Sequence, residues 1–261
     1  MCRLLIYKGT DSIELSHLLT RPCHSIINQA FDSRLRLDRR RPINGDGFGV
    51  GWYDEQELEY PDEERSSSQG EPCIFNSVTP LGVKLPNPKA KSFSPNVLKS
   101  AMLKCIAQLN SWAREAGITE PSLMNFCVTD GKSVVATRYI SSRTDEAASL
   151  WYSSGTSFSE YAPGGHYRMT KSDKRENIFM IASEPLTFEK ADWMEVRTNT
   201  IVGMCSFFIK SQVPIIDEFH VPYSAENKRF GDFAATKGLL SRAQVTNGHD
   251  ISPPSEGIAG L

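Results

Sequence analysis

A chain of 261 residues, 39% hydrophobic and 23% charged, has ordinary globular composition and is long enough for one large domain or two small ones. Its formal net charge of -2 and pI of about 6.2 exclude the strong basic excess on which a nucleic-acid surface is built. The six cysteines include no Cys-x-x-Cys pair and the five histidines no His-x-x-x-His pair, so neither a metal nor a cofactor is expected, and no apolar run reaches membrane-spanning length.

Leu4 to Tyr7 reads as a buried first strand closed by Gly9. The short apolar run ahead of Lys8 does not make a signal peptide, so the expected compartment is the reducing cytosol, with thiols free. Ile13 to Leu19 reads as a short helix stopped by Pro22. Arg34, Arg36 and Arg39 to Arg41 share their stretch with Asp32 and Asp38 and with no aromatic residue, which reads as a solvated loop. Asn44 to Tyr53 alternates glycine with bulky residues. As a strand it would place Phe48, Val50 and Trp52 on one face and Gly47, Gly49 and Gly51 on the other, a smooth face for a second sheet to approach. Its glycines do not fit the dinucleotide fingerprint. Glu55 to Gly70 reads as an exposed loop.

Ser94 and Pro95 suit the cap and first turn of the clearest helix, and Gly117 suits its end. Leu98, Met102, Cys105, Ile106, Leu109 and Trp112 recur along it at helical spacing, a stripe that reads as core, with a partner-docking face as the alternative. Leu123 to Thr129 and Ser133 to Ile140 flank Asp130-Gly131, which suits a type I′ hairpin turn. Leu150 to Ser153, Ile178 to Ala182 and Val196 to Cys205 read as further strands. Residues 1–223 are then the domain, and 224–261, polar and rich in Gly, Ser and Pro, a partly disordered tail. Many strands and few helices point to an α+β fold.

Cys2 is the residue that carries chemistry. Removal of the initiator methionine would leave its thiol and α-amine on one residue, with reference pKa values of about 8.5 and about 7.7–8.0. The amine can then take the proton of its own thiol, and the thiolate can attack a carbonyl to form a thioester. A strand directly behind the nucleophile would hold it rigidly at a sheet end.

Three stretches together carry a family resemblance: Met1-Cys-Arg-Leu-Leu-Ile-Tyr7, Arg40-Arg-Pro-Ile-Asn-Gly-Asp-Gly-Phe-Gly-Val-Gly-Trp-Tyr53, and Ile181-Ala-Ser-Glu-Pro-Leu-Thr187. They resemble class II glutamine amidotransferases, among them the amidotransferase-like subunit of a cytosolic glutathione-degrading complex. The likeness covers Met1 to Pro80 and Val83 to Tyr223. It implies an N-terminal-nucleophile hydrolase fold, stacked antiparallel sheets between helical layers (αββα). It also implies hydrolysis of a γ-glutamyl amide by Cys2, and a partner subunit resembling a metallopeptidase.

Members of that family also carry Ala-His-x-Arg-Ala, whose Arg grips the substrate α-carboxylate. They carry His-Asn-Gly, which forms the oxyanion hole, and Thr-Asp-Ser-Glu, whose Asp holds the α-amine. None of these strings occurs here. The chain passes from a segment ending at Pro80 into one that, in the family, follows the Asp helix, so an internal block with interior strands is expected to be missing near Pro80 to Val83. Asn44-Gly45 and Asn247-Gly248 occupy other places and are not carried over as oxyanion groups. Three readings follow: an amidohydrolase acting through Cys2, an inert internally deleted variant that retains at most partner binding, and a non-enzymatic interaction protein that uses the Trp112 face.

Overall fold

The computed structural model describes residues 3–31, 49–53, 72–75, 93–172, 176–187, 189–205, 208–224, 227 and 229–237. β1 (Leu5–Gly9) is followed by two short helices, α1 (Ser16–Leu19) and α2 (Ile26–Phe31), and by β2 (Val50–Tyr53) and β3 (Pro72–Phe75). The long helix α3 (Pro95–Glu115) leads into β4 (Cys127–Thr129), β5 (Ser133–Arg138), β6 (Trp151–Gly155), β7 (Ser157–Ala162), β8 (His166–Thr170) and β9 (Ile178–Ala182). A single 3-10 turn at Lys190–Asp192 precedes β10 (Met194–Glu195), β11 (Thr200–Cys205), β12 (Phe208–Pro214) and α4 (Asp232–Thr236). Two four-stranded antiparallel sheets, β1-β9-β6-β10 and β12-β11-β5-β4, stand beside two strand pairs, β2-β3 and β7-β8. The α+β expectation holds. No helix among the described residues is long and apolar enough to cross a membrane.

The apolar run Ile178-Phe-Met-Ile-Ala182 has hydrophobic residues on both faces because β9 is covered on both faces. Phe179 and Ile181 point into a core shared with Val134, Ala136, Tyr152, Val202 and Met204, which joins the two sheets. Met180 and Ala182 turn the other way and pack with Leu18 of α1, with Phe158, Tyr167 and Met169 of the β7-β8 pair, and with Leu186 and Trp193. On the far side of the second sheet, Val135, Tyr139 and Ile201 meet Leu98, Met102 and Ile106 of α3. Each such side chain contributes on the order of 1.5–3 kcal/mol by leaving water. The layers therefore run from α3 through the second sheet and the first sheet to a mixed cover. Among the described residues a long helix covers one side. On the other, a one-turn helix and a hairpin cover the sheet, because Phe158, Tyr167 and Met169 supply the apolar face there.

Other expectations need correction. Trp112 is 52% exposed and is not part of the core. At about 1.5 Å per residue, 21-residue α3 outruns the six-residue strands beneath it, so its last turn overhangs the sheet. The turn at Asp130-Gly131 is not type I′, since Gly131 (φ +84°) has a positive φ and Asp130 does not. Asp130 Oδ1 instead accepts the amides of Lys132 (3.0 Å) and Ser133 (2.6 Å), an Asx-stabilised loop. The strand expected over Val196 to Cys205 begins only at Thr200, because Asn199 sits at φ +53°. Gly49 and Gly51 are exposed, and among the described residues no second sheet is seen to approach them. The β7-β8 hairpin and β12 were not among the expected strands, although His166 to Thr170 alternates polar and apolar residues at every position. Inside the expected tail, α4 buries Ala234 completely and ties the Phe233 amide to Asp145 Oδ1 at 3.2 Å, while 238–261 lie outside the described residues.

Candidate functional site at the start of the first strand

Cys2, the Pro80 to Val83 join and most of the glycine-rich motif lie outside the described residues. What is described is the frame behind Cys2. β1 pairs with β9 in antiparallel register, Leu5 opposite Ala182 and Gly9 opposite Ile178. Just beyond the paired strands, the Ser183 amide donates to the Leu4 carbonyl at 2.9 Å, and the Leu4 amide donates to Ser183 Oγ at 2.9 Å. The carbonyl of Ser183 accepts Ser149 Oγ–H at 2.8 Å, which leads the chain toward β6.

Glu184 follows, with 0% of its side chain exposed. It is joined to the Arg3 guanidinium, and its other carboxylate oxygen lies 3.4 Å from His24 Nε2. His24 is buried and donates from Nδ1 to the Pro185 carbonyl at 2.6 Å. Gln29 of α2, buried too, donates to the carbonyls of His24 (3.0 Å) and Glu184 (3.3 Å). Ser25 starts α2 by accepting the Asn28 amide at Oγ, 3.2 Å away. The segment ahead of His24 is seated by the amide of Cys23, which donates to the Gly165 carbonyl at 2.9 Å. A buried carboxylate flanked by arginine and histidine thus holds Arg3, the residue that follows the expected nucleophile in sequence.

A second buried cation, Arg138, is 1% exposed and closes the far end of the inter-sheet core. Its guanidinium donates to Glu195 (2.7 Å), Glu146 (3.2 Å) and the carbonyls of Ala147 (2.9 Å), Ala148 (2.8 Å) and Val196 (2.6 Å). With every donor used inside the protein, Arg138 is a structural tie between the sheets and not a substrate clamp. Cys127 belongs to the partly buried rim of the same core, and burial pushes its thiol up to about 12, which makes it inert. Among the described residues no group of His, Cys, Asp and Glu is arranged to hold a metal.

Sequence reasoning quoted Arg3 and Ser183-Glu184 within family stretches without giving them a role. His24 and Gln29 left no signal, because a lone histidine beside Pro22-Cys23 has no spacing to read.

The chain is 37% identical to the probable glutamine amidotransferase DUG3 of Saccharomyces cerevisiae, over 97% of this chain and 95% of that one. The aligned span is 354 residues against 261 here, so at least 93 aligned positions (354 less 261) have no residue in this chain. A glutamine aminotransferase class-II domain protein from Silicibacter pomeroyi matches 45% of this chain and 44% of its own length, with 23% identity and a TM-score of 0.31. No family model matches.

Proposed function

The chain belongs to the glutamine amidotransferase family, and from that membership we propose that it is a class II γ-glutamyl amidohydrolase that works through Cys2. The observation that carries this reading is the 37% identity, which extends across 95% of a probable glutamine amidotransferase. In the proposed reaction the Cys2 α-amine takes the thiol proton and the sulfur attacks the γ-carbonyl carbon of the substrate. The tetrahedral adduct expels ammonia or an amine, which leaves with that proton, and a thioester remains. Water then attacks the thioester, the thiol is restored, and glutamate departs. The substrate class is a γ-glutamyl amide such as glutamine or glutathione, and the setting is cytosolic glutathione degradation beside a metallopeptidase-like partner subunit. Cys105 and Cys127, free thiols among the described residues, suit a reducing compartment.

The test is release of glutamate from glutamine, and from glutathione with the partner present. Cys2→Ala is expected to abolish it, and unchanged turnover in that variant overturns the mechanism. Retention of the initiator methionine, or acetylation of the Cys2 amine, would overturn it as well.

A second reading is favoured by the 354-residue aligned span. The strings Ala-His-x-Arg-Ala, His-Asn-Gly and Thr-Asp-Ser-Glu are absent from the sequence. Loss of one oxyanion donor costs about 2.7–4 kcal/mol of transition-state stabilisation, and loss of the two clamps removes substrate positioning as well. On this reading the chain is an inert, internally deleted variant that retains at most partner binding. Saturable glutamine binding in a titration calorimeter contradicts it, and a longer transcript across Pro80 to Val83 would remove its basis.

A further inference from the structure

The antiparallel ladder between β1 and β9 does not simply stop at Leu5 and Ala182. At the next pair, the Leu4 amide takes a side-chain oxygen, Ser183 Oγ, in place of a backbone carbonyl. The Ser183 carbonyl is engaged elsewhere, by Ser149. The chain leaves the ladder here, and Glu184 is carried inward, where its carboxylate meets Arg3 and His24. Desolvating a carboxylate costs several kcal/mol, and an apolar side chain of similar volume could fill the same space without that cost. The directional guanidinium pair therefore serves geometry, since a planar fork fixes an orientation as an apolar contact cannot.

We propose that Glu184 is a positioning residue for the N-terminal nucleophile: braced by His24 and Gln29 of the α2 segment, it holds Arg3 and with it the peptide that carries Cys2. Three ties act on residues 3 and 4. The Leu4 carbonyl and amide are held by Ser183, and the Arg3 side chain, only 7% exposed, is held by Glu184. Glu184 is held in turn, because Gln29 donates to its carbonyl and to that of His24, while His24 donates to Pro185. Arg3 and Leu4, the two residues that follow the proposed nucleophile, are thus anchored by side chain and backbone, and a fixed anchor next to a nucleophile favours productive attack on a bound carbonyl. This inference rests on the reading of Cys2 as the nucleophile.

The experiment compares wild type, Glu184→Gln, Glu184→Asp and the double variant Arg3→Gln/Glu184→Gln in glutamine hydrolysis and in thermal unfolding. The expected result for Glu184→Gln is a kcat reduced about tenfold or more with KM within about twofold, partly restored in Glu184→Asp. The double variant removes the buried guanidinium together with the carboxylate that neutralised it, so it regains Tm relative to Glu184→Gln without regaining kcat. If kcat recovers together with Tm, or if Glu184→Gln turns over like wild type, the role is structural and the proposal falls. Should Glu184→Gln not fold, the double variant and Glu184→Asp carry the same comparison. If wild type itself releases no glutamate, the amidohydrolase reading fails, and the brace is then decided by iodoacetamide labelling. Cys2 labelling at neutral pH, read on the N-terminal peptide against Cys105 of α3, is expected to fall about threefold in the double variant and to recover in Glu184→Asp. Equal labelling in all four proteins overturns the brace.

Discussion

Gly165 shows how a single atom can decide the seating of a segment. It lies at φ +81°, and a Cβ added there would collide with the Arg21 carbonyl and the Cys23 amide. Its own carbonyl accepts the Cys23 amide, directly ahead of His24. Gly165→Ala combines a left-handed backbone cost of about 1–2 kcal/mol with that collision, so a loss of at least about 2 kcal/mol in urea unfolding is expected. Tyr139 works by hydrogen bonding rather than by shape. Its hydroxyl donates to Asp217 Oδ2 at 2.7 Å and accepts from the buried Asn110 of α3 at 2.7 Å. Tyr139→Phe leaves both partners short of one bond each, and a loss of about 1–3 kcal/mol is expected in the same measurement.

At the scale of elements, the two sheets are tied together by Arg138 of β5. Its bonds reach Glu195 in β10 and the carbonyls ahead of β6, on the opposite sheet. Arg138→Met would take the guanidinium partner from the nearly buried Glu195 carboxylate and cut the tie between the sheets, and a loss of about 3–5 kcal/mol is expected from thermal unfolding. Glu195→Gln in the Arg138→Met background is expected to return part of that loss, since the buried charge is then gone. The edge of the same core sets an alkaline limit. Burial raises the Cys127 thiol from 9.0 to about 12, and Tyr139 is also raised, by burial and by its hydrogen bond to Asp217. Between these bounds the unfolded chain releases a proton that the folded chain keeps, so the stabilising contribution is complete below about pH 9 and is lost as pH rises toward 12. Urea midpoints are expected to fall from pH 9 to 11, and Cys127→Ala is expected to flatten that fall.

For the molecule as a whole, β5, β9 and β11 each contribute to two hydrophobic clusters, so the layers share strands and not merely boundaries. Melting one layer strips the other of half its core, and the described layers are expected to unfold in one cooperative transition. Far-UV circular dichroism and tryptophan fluorescence should report the same urea midpoint, and separated midpoints would show that the layers fold independently.

Some of this was determined by the sequence alone. Ile178 to Ala182 is apolar at every position and reads as a strand, and the structure places it as one. The periodic run from Pro95 to Glu115 reads as a helix and is one, although Ser94 at its N-cap makes no side-chain hydrogen bond. The stretches around Cys2, Asn44 to Tyr53 and Ile181 to Thr187 carried the family, because they are strings of particular residues that read without a fold. Tertiary structure decided the rest. Spacing puts Trp112 on the apolar stripe, yet whether that stripe still has a sheet beneath it depends on where the sheet ends. Asn199 breaks a strand through a backbone angle that no pattern encodes. Arg3, the His24 and Gln29 pair, and Glu184 lie in three separate stretches that share no period, so only the folding of β9 against β1 could bring one carboxylate between that arginine and that histidine.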